Sequence, residues 1–237
     1  MILKIIIFLL LGAGLLACSS VNTILVNNEQ VSVTSEYEKV NSADSIILPY
    51  RNDLNKEMLE VIGFAPQSFE RGRPDGSLNN WSTDVILNSQ LEKVDKTKPI
   101  FCILNFGGLR NPISKGDVTL ADVFKLMPFD NEIVVVELPL SSIAKIEAYQ
   151  KIRGGEPIAG AKIQDGNFVF DNPIPGAKTM LIVTSDYLFN GGDHMDFFQD
   201  NIDVQYAGEL MRDIMIEAVK KQETLIWSDE KRIDLGE

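Results

Sequence analysis

Pro99-Ile100-Phe101-Cys102-Ile103-Leu104-Asn105-Phe106-Gly107-Gly108-Leu109-Arg110 is an apolar run that ends in two glycines and an arginine. The run Pro99 to Phe106 reads as a buried strand, because its apolar residues are continuous rather than alternating. Glycines at its end let the backbone turn tightly and approach a ligand, since they carry no Cβ. Arg110 offers a planar fork suited to phosphate, carboxylate or a ring face. Cys102, inside the strand, reads as a small core residue rather than a nucleophile.

Working outward, Thr119 with Asp122 reads as an N-cap, and Leu120, Val123, Phe124 and Met127 follow at helical spacing until Pro128 stops the helix. Phe129 then sits in a Pro-bounded loop. Ile133 to Leu138 is an apolar strand, and Ser141 or Ser142 caps a helix ending before Gly154-Gly155. Asp165-Gly166 between 161–163 and 168–170 signals a hairpin. Thr179 to Thr184 is a strand, and Tyr187 through Gly191-Gly192-Asp193 is a presented loop. Val204, Ala207, Leu210, Met211, Ile214 and Ala218 predict one long amphipathic helix, with Leu225-Ile226-Trp227 as an edge strand.

Upstream, the helical spacing of Leu54, Met58, Leu59, Val61 and Ile62 predicts a helix over 53–62, and Ser45 to Leu48 predicts a short strand. Val31 to Ser35 alternates and reads as a first strand. Arg71-Gly72-Arg73-Pro74-Asp75-Gly76-Ser77 is a loop whose arginines are either solvated or converge on an anion. A helix over 78–91 follows. Strands and helices mix without regular βαβ alternation, which favours a single α+β domain of mixed sheets flanked by helices over a doubly wound sheet.

The chain of 237 residues has a net charge of -12, which argues against a nucleic acid polymer as partner. Lys4 and the apolar run Ile5 to Leu16 form a targeting segment too short to span a bilayer. It ends in Leu15-Leu16-Ala17-Cys18, which resembles a bacterial lipobox. The expected layout is a signal peptide over 1–17, a linker over 18–30 from a lipidated Cys18, and a recognition domain over 31–237. That layout places the protein outside the cytoplasm, anchored to a bacterial membrane.

Three segments in order carry a family resemblance. Phe106-Gly107-Gly108-Leu109-Arg110, Pro128-Phe129-Asp130-Asn131, and Tyr187 through Gly191-Gly192-Asp193 resemble segments of the C-terminal domain of 5'-nucleotidases and UDP-sugar hydrolases. Arg71-Gly72-Arg73 with Ser77 to Asn80 is a fourth, weaker likeness. The resemblance implies a layered α/β/β/α fold and a nucleotide or nucleoside ligand. It implies that Phe129 and Tyr187 clamp the base, Asn131 meets the base edge, and Asp193 accepts from ribose hydroxyls. Arg110, with Arg71 or Arg73, would bind phosphate, and Gly155 or Gly154 would line the pocket.

Two departures stand out. Phe106 replaces the family's usual Asn or Ser before the glycines, which removes a polar contact. Asp130 replaces a common glycine and would disfavour a second anion. The family's hydrolysis runs on two metal ions in a separate metallophosphoesterase domain. Such a centre needs clustered carboxylates and imidazoles, and this sequence has one histidine, His194. The expectation is a domain with no cofactor and no hydrolysis of its own. It would be the substrate-binding half of a split 5'-nucleotidase beside a separate metallophosphoesterase chain, with divalent metals only in that partner. The alternatives are a stand-alone nucleoside-binding lipoprotein or a non-binding scaffold.

Overall fold

The computed structural model describes residues 41–236. The signal segment, Cys18, the 18–30 linker and the strand expected over 31–35 lie outside the described residues. The chain divides into two units, 1–46 and 47–237. Of the first, only the opening of helix α1 (Asn41–Met58) is described.

The second unit is built on a five-stranded sheet in the order β5 (Ile158–Ala159), β2 (Ile100–Ile103), β8 (Thr179–Ser185), β4 (Glu132–Pro139), β9 (Asp203–Leu210). β2 and β8 run parallel, and the other neighbours are antiparallel. The central strands are apolar on both faces. Cys102, Ile133, Val135, Leu181 and Val183 join one core; Phe101, Ile103, Val134, Val136, Met180 and Ile182 join the other. Each face therefore needs a cover, which is why these strands read as continuous apolar runs.

The first face is covered by α2 (Ser77–Gln90), α3 (Leu120–Leu126) and α6 (Met211–Gln222), through Trp81, Val85, Ile86, Val123, Leu126, Met211, Met215 and Val219. A short antiparallel pair, β1 (Val61–Ala65) with β3 (Gly116–Thr119), adjoins it. The second face is covered by the hairpin β6 (Ala161–Gln164) and β7 (Asn167–Phe170), with α4 (Ile143–Arg153) beyond it. The Glu147 carboxylate accepts from the Phe168 amide at 2.7 Å, tying α4 to the hairpin. The result is an α+β fold in the layered α/β/β/α order.

Several local expectations match their elements. Thr119 and Asp122 form a capping box on α3, the side chain of each accepting from the other's backbone amide. The Thr119 hydroxyl satisfies one of the amides that a helix start leaves unpaired. Thr119→Ala is expected to cost about 1 kcal/mol, seen as a lower urea midpoint at unchanged slope; an unchanged midpoint would contradict the cap's role. Gly154 closes α4 in the left-handed region, at φ 72°. Cys102 is fully buried, and burial pushes its thiol well above the usual range, as suits an inert core residue.

Four expectations are corrected. Ser45 to Leu48 is helix, not strand, and that helix ends at Met58 instead of running over 53–62. Val61 and Ile62 belong to β1, where Val61 pairs with Thr119 and Ile62 faces the core. The long helix from Val204 is a strand followed by a helix, β9 then α6. Val204 and Tyr206 pair with Val136 and Val134, and the β-branched and aromatic residues there favour a pleated surface. Gly208 at φ 70° breaks any helix through that point. Leu225 to Trp227 is not a strand. It contributes one backbone bond, from the Leu225 amide to the Phe64 carbonyl at 2.9 Å.

Candidate functional site

Strand register decides where the three glycine- and aromatic-bearing loops meet. β2 and β8 run side by side, so both C-terminal ends emerge at one edge of the sheet. β4 runs opposite to β8 and pairs Ile133 with Ser185, so its start emerges there as well. The loop after β2 carries Asn105 and the short 3-10 turn Phe106–Gly108. The loop before β4 carries Phe129 and Asn131, and the loop after β8 carries Tyr187 and Asp193. Together Asn105, Gly107, Gly108, Arg110, Phe129, Asn131, Tyr187 and Asp193 line one cavity of about 290 Å³.

Each wall is fixed from behind. Ser185 caps the one-turn helix α5 (Asp186–Phe189) by accepting from the Leu188 amide. The Asp186 carboxylate accepts from the Glu132 amide at 3.1 Å and the Tyr187 amide at 2.8 Å, joining the loops of β4 and β8. The Arg110 amide donates to the Leu126 carbonyl at 2.8 Å, holding the glycine turn to the end of α3. Arg212, at the start of α6, donates to the Phe129 carbonyl at 3.3 Å and pairs with Asp130. The Met211 amide donates to the Asn131 carbonyl at 2.9 Å. Phe129 and Tyr187 themselves stay 41% and 46% exposed, so their rings are presented rather than packed into the core.

The Gly-Gly-Asp turn is conformationally costly. Gly191 has φ 93°, and Asp193 and His194 follow at 51° and 62°. Two successive non-glycine residues in the left-handed region mark a site whose surroundings hold it there. A Cβ on Gly192 would come within 2.4 Å of the Tyr187 ring, so only glycine lets that ring lie over the turn. The Asp193 carboxylate accepts from the Asn105 side chain at 2.6 Å, and its carbonyl accepts from the Tyr149 hydroxyl at 3.1 Å. Burial pushes the Tyr149 hydroxyl up, and nearby Glu156 adds to the shift, so it stays a donor.

The remaining expected residues lie beside the cavity rather than in it. The Arg71 guanidinium donates to the Leu109 carbonyl at 2.7 Å. Arg73 donates to the Gly155 and Arg153 carbonyls and pairs with the Glu156 carboxylate at 2.8 Å. Gly155 is buried at φ 92°, and a Cβ there would sit 2.7 Å from Pro74. It accommodates the close packing of Pro74 and offers a carbonyl to Arg73.

Sequence reasoning missed four residues. Asn105, directly before Phe106, supplies a polar contact to the cavity, so the contact expected to be lost with Phe106 is present one position earlier. An asparagine at the end of an apolar run was the signal. Glu156, Tyr149 and Arg212 act from behind the walls. Asp130 is exposed and pairs with Arg212. A larger cleft of about 460 Å³ between α2 and α6 is lined by Val85, Ser89, Glu209, Ile214 and Lys221. It brings together no aromatic pair and none of the motif residues.

Residues 61–146 match the family described as 5'-nucleotidase, C-terminal domain. Protein UshA of Escherichia coli is 26% identical over 181 residues, covering 70% of this chain and 32% of that protein. The 5'-nucleotidase of Rattus norvegicus is 23% identical over 189 residues, covering 66% and 33%. The chain thus spans about a third of the length of these relatives. Among solved structures, a 5'-nucleotidase precursor from Thermus thermophilus superposes at TM-score 0.66 and 20% identity, over 82% of this chain and 43% of that one. A Haemophilus influenzae NAD nucleotidase does so at 0.62 and 17%, over 81% and 41%. The family match begins at β1 and runs through the glycine turn and the Phe129 loop, while the superpositions share the fold around them. Over residues 61–146 the chain is thus similar to the C-terminal domain of 5'-nucleotidases, and its fold is shared with solved structures of proteins that carry that domain.

Proposed function

We propose that the cavity recognises the base and ribose of a nucleoside or nucleotide in nucleotide catabolism. Phe129 and Tyr187 stack on the base, Asn131 meets its edge, and Asp193, oriented by Asn105, accepts from the ribose hydroxyls. Arg110 stands at the rim for a phosphate. The observation that carries this reading is the convergence of two presented rings, a carboxylate and an arginine on one small cavity. Rings accept any base because every base has a π-face.

A two-metal centre of the kind the resemblance implies does not fit the described residues. The sequence holds one histidine, His194, and among the described residues no group of three or more His, Cys, Asp or Glu could hold a metal ion. No step of hydrolysis is therefore assigned to these residues. The chain acts as the recognition half beside a metallophosphoesterase that carries the divalent metals, outside the cytoplasm and tethered through a lipid on Cys18. A second reading is capture of a nucleoside with no catalytic partner. It draws on the residues that would meet base and ribose, Phe129, Tyr187, Asn131 and Asp193, all lining one cavity.

Calorimetric titration with adenosine, uridine and AMP tests the reading, alongside a phosphate-release assay with added Mn²⁺ or Mg²⁺. Saturable binding with no release by the chain alone is expected. Release restored by a separate metallophosphoesterase would favour the split enzyme over simple capture. Absence of binding at millimolar ligand would overturn recognition and leave a scaffold.

A further inference from the structure

Beside the cavity lies an arrangement that the recognition reading does not use. Two guanidiniums pack on the Phe106 ring, with Arg71 Cζ 4.8 Å and Arg73 Cζ 4.7 Å from its centroid. The ring face attracts both cations. Arg71 is held in place by the Leu109 carbonyl, and Arg73 by the carbonyls of Gly155 and Arg153. Arg73 also neutralises Glu156, whose side chain is 0% exposed and which accepts in addition from the Phe106 amide and Arg153. Drawing Arg73 towards a ligand phosphate would weaken the pairing of a buried carboxylate, which is costly.

We propose that this site gains little from a ligand phosphate and takes nucleosides about as well as their phosphates, because Phe106 and Glu156 withdraw two neighbouring arginines, Arg71 and Arg73. The inference rests on the recognition reading above and refines its ligand class. The charged side chains lining the cavity are one arginine, Arg110, and one carboxylate, Asp193. Arg110 is exposed, and an exposed ion pair contributes little in water. The cavity, about 290 Å³, lies at the small end of the range of ligand sites, roughly 300–1,000 Å³. The net charge of -12 opposes any further anion.

The test is the ratio of affinities for adenosine, AMP and ADP, measured by calorimetry on the parent chain and on Phe106→Ser. In the parent, AMP should bind within about fivefold of adenosine, and ADP no tighter than AMP. In Phe106→Ser, checked for folding by its thermal transition, the Arg71 guanidinium, left with the Leu109 carbonyl alone while Glu156 still holds Arg73, should raise the AMP-to-adenosine preference by about tenfold or more. A parent preference for AMP well above tenfold would overturn the proposal, even if the variant fails to fold. So would an unchanged ratio in folded Phe106→Ser protein. Loss of adenosine binding in the parent would instead sink the recognition reading and this inference with it.

Discussion

Tyr187→Ala and Phe129→Ala are each expected to weaken adenosine binding about fivefold to a hundredfold. That corresponds to about 1–3 kcal/mol of base–aromatic stacking per ring. Both rings are roughly half exposed, so truncating them removes little core contact and should leave stability nearly unchanged. The double variant should lose less than the sum of the two, because the base tilts once either wall is gone and stacks less well on the other. Calorimetry on the three variants reads the effect, with the thermal transition as a control. If Tyr187→Ala binds adenosine like the parent, the two rings are not a clamp.

The largest effect on stability is expected at Glu156. Its fully buried carboxylate accepts from Arg73, from Arg153 and, through its second oxygen, from the Phe106 amide. The Gln150 side chain holds its backbone on both sides, accepting from the Glu156 amide at 2.6 Å and donating to its carbonyl at 3.2 Å. Removing one partner of a buried pair costs about 3–5 kcal/mol, because the other charge loses its compensation. Arg73 and Arg153 keep about a third of their side-chain surface in water, which places Glu156→Ala near the lower figure. In a domain of this size, about 3 kcal/mol lowers the midpoint temperature by roughly 6–12 °C. Urea denaturation of Glu156→Ala measures it. A loss below about 1 kcal/mol would mean that the carboxylate is dispensable and that Arg73 is held by carbonyls alone.

How legible these features were follows from where their causes lie. The central strands could be read because burial on both faces leaves continuous apolar runs, as in 100–104 and 133–136. The start of α3 could be read because Thr119 and Asp122 form a local device, complete within four residues. β9 was misread because Val204, Ala207 and Leu210 also fall at helical spacing. Only its pairing with β4, some seventy positions earlier in the chain, decides for strand. The helix over 41–58 was misread at Ser45 to Leu48 because a short apolar run has no period of its own.

At the site, Arg110, Phe129, Asn131, Tyr187 and Asp193 could be gathered from the sequence through the family resemblance, since each sits in a motif that lies in a loop marked by Gly or Pro. Glu156 could not. Its importance arises from three partners at separations of 3, 50 and 83 residues, none of which leaves a trace in local pattern. Nor could the packing of Arg71 and Arg73 on Phe106 be foreseen, since only the folded loops bring the three together.

The most direct test is a crystal structure of the protein grown with adenosine. The account predicts the base between the rings of Phe129 and Tyr187, the ribose hydroxyls within hydrogen-bond distance of Asp193, and Arg71 and Arg73 still against Phe106. Adenosine bound in the cleft between α2 and α6, or a cavity left to water at saturating ligand, would contradict it.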